Sequence, residues 1–224
     1  RRGVFQLEDA RWVSPDWAAP LARHRIEALY RDSDGNLWIG TTEGAWRYHP
    51  RRGLETCLTA NLPGTAWIAS FFEDREGNLW IGSLTHSLAR AWNGWVARFN
   101  VEDGLSDPFV WSVVADDSRR LWIGTNSGLD VFDPATEVFH HLPRMEGISQ
   151  DGGDLVCDVR SIAEDPSGNI WFNTSFNLYR VRPGTTAAAP LGPGTHAQRI
   201  ADIHNCGLFV DHAGILRSYG PNVL

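Results

Sequence analysis

Asp32-Ser33-Asp34-Gly35-Asn36-Leu37-Trp38-Ile39-Gly40-Thr41 is written four times in this chain, with close copies over residues 74–83, 116–125 and 165–174. In every copy an Asp stands six residues before a Trp, and Trp38, Trp80, Trp122 and Trp171 follow at spacings of 42, 42 and 49 residues. A fifth, worn copy, Asp211-His212-Ala213-Gly214-Ile215-Leu216-Arg217, carries Arg217 in the Trp place. A period in the forties belongs to a propeller blade or to a helical repeat, and the residues between the tryptophans decide. The segment before each Asp (Ile26 to Tyr30, Ile68 to Phe72, Val110 to Val114, Val159 to Ala163, Leu208 to Val210) is short and rich in β-branched or aromatic residues. None is long enough for a helix, so each reads as a strand.

Turn residues follow: Asp34-Gly35, Glu76-Gly77, Ser167-Gly168 and Ala213-Gly214, then Leu-Trp-Ile-Gly or a variant. Two strands are thus joined by a tight connection. The third copy has Ser118-Arg119-Arg120 and no glycine, and a different turn type is open there. A third strand is expected at Ala45 to Tyr48 and Leu129 to Phe132, and a fourth at Leu54 to Leu58, Trp95 to Phe99 and Val138 to Leu142. Four antiparallel strands per unit is the build of a propeller blade. The expected fold is all-β: a β-propeller of four-stranded antiparallel blades in a single segment, 1–224, with about five blade units. Complete blades are expected at 24–60, 66–100, 108–143 and 157–184, and partial blades at 1–18 and 200–224.

Composition agrees with this reading. The chain has 224 residues, 42% hydrophobic and 11% aromatic, with 11 Trp and 22 Gly. Large flat side chains fill the wedge between blades, and glycines let hairpins turn and backbones approach. Trp38, Trp80, Trp122 and Trp171, with Gly40, Gly82 and Gly124, are therefore read as structural repeat positions. A net charge of −7 gives no basic face for nucleic acid, so no nucleic-acid partner is expected. Cys57, Cys157 and Cys206 lack CxxC spacing, which points to neither a disulfide framework nor a zinc knuckle. The chain opens without an initiator Met, a signal-peptide pattern or a long apolar segment, and a processed or excised segment is the expectation.

The repeat Asp-x-x-Gly-Asn-Leu-Trp-Ile-Gly-Thr-x-x-Gly, as Asp32 to Gly44, resembles the two-component regulator propeller repeat, and Asp103-Gly104-Leu105-Ser106-Asp107 is similar to that family's connector between blades. The resemblance implies the periplasmic, extracytoplasmic part of a bacterial inner-membrane receptor of histidine kinase or diguanylate cyclase type. Such a segment binds a small molecule or glycan and passes the signal by domain rearrangement. Implied partners are the other domains of the full-length receptor and a second copy as homodimer, with the membrane reached only through downstream segments. The chain ends leave two forms open, a ring closed by a composite blade from the first and last strands or an arc of a larger propeller, and the resemblance to a family whose usual ring has seven blades favours the arc.

Rival motifs fit less well. The Asp box of sialidase-type propellers is off register, and Asp32-x-Asp34-Gly35 lacks the closing bidentate Glu of a calcium loop, so no metal and no cofactor are expected. Asp165-Pro166-Ser167-Gly168-Asn169-Ile170-Trp171-Phe172 is also similar to repeats of streptogramin lyases, which are enzymes and need a catalytic His near a metal and a carboxylate. His24, His49, His86, His140, His141, His196, His204 and His212 repeat no motif and show no persuasive ligand spacing with a carboxylate. No catalytic residue is assigned, and a lyase-like enzyme or a protein-interaction scaffold is the alternative. Loops entering the first strands gather at one mouth of a propeller. At that position stand Trp67, Trp111 and Arg160, an aromatic face and a guanidinium suited to a sugar-like or anionic ligand.

Overall fold

The computed structural model describes residues 3–57, 66–93, 95–142, 158–175, 177–181, 198–202, 207–211 and 213–219. The expected fourth-strand residue Leu58, most of the connectors 61–67, 143–158 and 183–199, and His196, His204, His212, Cys157 and Cys206 lie outside them. The chain divides into two compact units, Arg1–Arg98 and Phe99–Leu224.

The first unit opens with β1 (Gln6–Glu8) and β2 (Arg11–Val13), an antiparallel pair turned by Asp9 and Ala10, both at positive φ. The connector into the next strand winds a short 3-10 helix over Asp16–Leu21. Its apolar residues explain the helix: Ala18 and Leu21 are buried with Val4 and Ile39, and Trp17 stacks on Tyr48 at 3.9 Å. Two four-stranded meanders follow. One is β3 (Ile26–Arg31), β4 (Leu37–Thr41), β5 (Gly44–His49) and β6 (Gly53–Cys57). The other is β7 (Ile68–Glu73), β8 (Leu79–Ser83), β9 (Ser87–Trp92) and β10 (Trp95–Phe99). Between them lies a core of Trp38, Ala45, Ile68, Phe71, Leu79 and Ile81.

The second unit repeats the plan. β11 (Val110–Ala115), β12 (Leu121–Thr125), β13 (Gly128–Asp133) and β14 (Val138–His141) form one sheet. β15 (Ser161–Glu164), β16 (Ile170–Asn173), β17 (Asn177–Val181) and β18 (Gln198–Asp202) form the next, and β19 (Gly207–Val210) pairs with β20 (Leu216–Tyr219). Trp122, Leu129 and Val131 of one sheet pack against Val159, Ile162, Ile170 and Phe172 of the next. In each strand pair the neighbours in sequence are neighbours in the sheet, as short hairpin connections require.

One device explains the Asp-to-Trp spacing of six. Asp32 donates its N–H to the carbonyl of Asn36 at 3.0 Å and accepts from the N–H of Gly35 at 3.1 Å, closing a three-residue turn with Gly35 at φ +82°. The Asp32 carboxylate then accepts from the Asn36 N–H (2.7 Å), the Asn36 amide (2.7 Å) and the Trp38 indole N–H (2.8 Å). A side chain that reaches two residues into the second strand fixes both the turn and the Trp rotamer. The indoles of Trp80, Trp122 and Trp171 donate to Asp74, Asp116 and Asp165 in the same way, at 2.8, 2.9 and 2.8 Å. In the worn copy Arg217 Nε takes over, donating to Asp211 at 2.6 Å. The third copy keeps the turn as well. Asp116 and Arg120 close it as in the other copies, and Arg119 stands at φ +67° where the others have glycine.

The Leu-Trp-Ile-Gly glycines mark close backbone approach between sheets. A Cβ on Gly40 would lie 2.7 Å from the carbonyl oxygen of Ile68, and one on Gly124 2.3 Å from that of Val159. Gly82 occupies the same register position in β8, opposite Ser70 and Leu88.

A candidate ligand-binding mouth

Within each sheet the first strand begins where the second ends, so the connector and the turn between second and third strands share one end of the blade. Bulges mark this end. The registers of β3, β7 and β11 against their partners slip between Ile26 and Ala28, Ile68 and Ser70, and Val110 and Ser112. Each slip leaves one residue, Glu27, Ala69 or Trp111, outside the ladder, and such a bulge re-aims its side chain.

In the second unit the bulged Trp111 donates its indole N–H to Asn126 Oδ1 at 2.7 Å, on the turn between β12 and β13. The guanidinium of Arg160 lies over this ring, 4.8 Å from its centroid, a cation–π arrangement. Arg160 is held in turn by Asp158, whose Oδ2 accepts from Nε at 2.6 Å. Asp158 is buried, and also accepts from the hydroxyl (2.7 Å) and the N–H (3.2 Å) of Ser175. The structure thus brings Trp111 and Arg160 together. Arg160 is both ion-paired and stacked, and its side chain keeps 37% of its surface open.

Trp67 belongs to the first unit and has a different arginine. Arg25 stands 5.7 Å from the centroid of its ring, and Arg25 Nε is 2.7 Å from Glu27 Oε1. The Trp67 N–H donates to the Thr85 hydroxyl at 3.0 Å, and its buried indole N–H finds no acceptor among the described residues. Asp158, Asn126, Ser175, Arg25 and Glu27 were not singled out in the sequence. The available signal is an acid and an arginine two residues apart at the entry of a first strand, Arg25-Ile26-Glu27 and Asp158-Val159-Arg160.

Two histidines meet carboxylates in space. His141 Nδ1 lies 2.7 Å from Oδ1 of Asp130, a carboxylate only 1% exposed whose Oδ2 accepts from the Ser106 N–H at 2.9 Å. His24 Nδ1 lies 3.5 Å from Glu43. Both pairs join strands or loops 11 or more residues apart, which is why ligand spacing in the sequence did not reveal them. Burial, aided by Arg98, holds His86 below the usual imidazole range. Among the described residues no group of three or more His, Cys, Asp or Glu is placed to hold a metal ion, and no helix is long and apolar enough to cross a membrane.

The family described as two component regulator propeller matches residues 20–43, 61–85, 104–127 and 155–176, each match running from a connector through the first hairpin to the turn after the second strand. The chain belongs to the two component regulator propeller family. Among solved structures, the extracellular domain of a hybrid two component system from B. thetaiotaomicron superposes with a TM-score of 0.74 at 20% identity, over 97% of this chain. This two component regulator propeller spans 29% of that structure's length. Virginiamycin B lyase from Staphylococcus aureus superposes with a TM-score of 0.62 at 10% identity, over 99% of this chain and 78% of the lyase. PorZ, a surface component of the type-IX secretion system of Porphyromonas gingivalis, gives 0.57 at 14%, over 84% of this chain and 30% of PorZ. At these identities the likeness is one of fold, and the fold is the propeller. No curated protein sequence matches this propeller.

Proposed function

We propose that the chain is an extracytoplasmic ligand-sensing segment of a bacterial signal-transduction receptor, periplasmic, and without catalysis of its own. In that role it takes a small molecule or glycan at the end of the blades where connectors enter the first strands. It passes the signal by rearranging against other receptor domains or a second copy, with a histidine kinase or diguanylate cyclase as output. The observation that carries the reading is the repeat family itself, matched four times. The placement of Trp111 and Arg160 beside one another on a bulge and a connector supports a binding mouth, since rigid blades hold loop residues in fixed geometry.

A lyase is the second reading, favoured by the superposition on virginiamycin B lyase and by two His–carboxylate pairs. One experiment separates them. The purified chain is titrated calorimetrically with neutral and acidic oligosaccharides and incubated with cyclic lactone antibiotics, with and without Mg²⁺, followed by mass spectrometry. Saturable saccharide binding with every compound recovered intact is the expected result. Metal-dependent ring opening that vanishes in His141→Ala or His24→Ala replaces the sensor with an enzyme.

A further inference from the structure

The second unit's arginine is prepared for more than packing. Among the described residues the Arg160 guanidinium bonds through Nε alone, in the 2.6 Å contact to Asp158, and its carbon lies 4.8 Å from the centroid of the Trp111 ring. Among the described residues neither terminal Nη group has an acceptor. Asp158 is held in place, because Ser175 bonds both of its oxygens and its side chain is 10% exposed. The Trp ring is fixed too, by Asn126. The result is a planar cation held through Nε and by an aromatic ring, with its terminal Nη donors left without an acceptor among the described residues.

We propose that this outer edge reads a carboxylate, so that the ligand of the mouth is an acidic saccharide of the uronic acid type. The inference rests on the ligand-sensing reading above. A guanidinium matches a carboxylate with two parallel charge-assisted hydrogen bonds, a geometry an ammonium cannot reproduce. Restraining the fork beforehand lowers the ordering cost of binding. Asp158 acts as a positioning residue, and its charge partly offsets that of Arg160. The site therefore depends on the shape of the donor pair more than on net positive potential, in keeping with a chain of net charge −7. Arg25 in the first unit repeats the parts in a looser form: its side chain is 66% exposed, and its ring contact is longer, at 5.7 Å. Arg160 is accordingly the residue to test.

The probe pair is α-1,4-linked trigalacturonate and its carboxyl-reduced neutral counterpart, titrated into the full chain by calorimetry. Wild type binds the acid tighter than the neutral sugar by roughly tenfold or more, the expected scale for a charged hydrogen-bonded pair. Arg160→Lys keeps the charge and loses the fork; it abolishes the ratio by weakening the acid alone, with circular dichroism and thermal melting confirming the fold. Trp111→Phe keeps the fork and hence the ratio, while both affinities drop. Equal affinities in wild type, or an unchanged ratio in Arg160→Lys, overturn the carboxylate reading and leave saccharide sensing standing. Failure of both sugars to bind overturns the carboxylate reading too, and the broader oligosaccharide panel then decides separately whether the sensing role survives.

Discussion

Arg119 is a side chain in a place its sister turns give to glycine. It sits at φ +67° in a turn whose other copies place Gly35, Gly77, Gly168 and Gly214 at +75° to +82°. A side chain in the left-handed region costs about 1 kcal/mol that glycine avoids. Arg119→Gly is therefore expected to stabilise the chain by about that amount in urea melts, with the greater flexibility of glycine in the unfolded chain taking back part of the gain. Charge matters at the neighbouring copies. Burial pushes the Asp165 carboxyl up, but hydrogen bonds from Trp171, Asn169 and Ser167 outweigh it and hold the group below its ordinary value. At Asp211 the Ile215 N–H, followed by Arg217, has the same net effect. A depressed carboxylate contributes stability that is present above the unfolded pKa and is lost as pH falls through the folded one. Hydrogen exchange at Trp171 and Arg217 should accordingly accelerate as the pH drops below about 4, more steeply than at fully apolar positions. An exchange rate at these amides that follows the intrinsic chemistry alone would contradict the clamp.

The strand pairs divide the four tryptophans by their work. Trp80 and Trp122 are 0% and 1% exposed, Trp38 is 8% exposed, and Trp171 is only half-buried. Each carries an arginine on its face. In three copies it comes from the directly paired residue of the third strand: Arg47, Arg90 and Arg180 at 5.7, 5.5 and 5.3 Å. In the remaining copy Val131 holds that place, and Arg120 of the turn supplies the cation at 5.7 Å. Trp122→Ala should cost on the order of 3 to 5 kcal/mol through the void it leaves. Trp171→Ala should cost clearly less, because water already reaches part of its ring. Equal losses in denaturant melts would show that burial is not what sets the cost. The strands were legible because turn residues and alternating patterns repeat along the chain; Ile68 to Phe72 and Val110 to Val114 each lie within one residue of the observed strand. The bulge at Trp111 was not legible. A one-residue register slip depends on the partner strand, and no local pattern announces it. The contact of Arg160 with Trp111 likewise spans 49 residues and arises from the packing of two sheets.

In a repeat architecture each unit leans on its neighbours, so a lesion spreads only as far as the shared core. Trp122→Ala should lower exchange protection across β11–β18, whose sheets share the core around Val131, Ile162 and Phe172. Protection of β3–β6 should stay as in wild type. Loss of protection throughout the chain would mean that it unfolds as one cooperative block. The Asp clamp also has a consequence for how such chains diverge. What each hairpin demands at its seventh position is an N–H that reaches back to the carboxylate, and an indole and a guanidinium meet that demand equally, as Arg217 on Asp211 demonstrates. Selection can then drift between letters as unlike as Trp and Arg without losing the turn. A census of ancestral duplications keyed to tryptophan will undercount them, whereas one keyed to an acid followed six places later by any long nitrogen donor will recover the eroded copies and their order of descent.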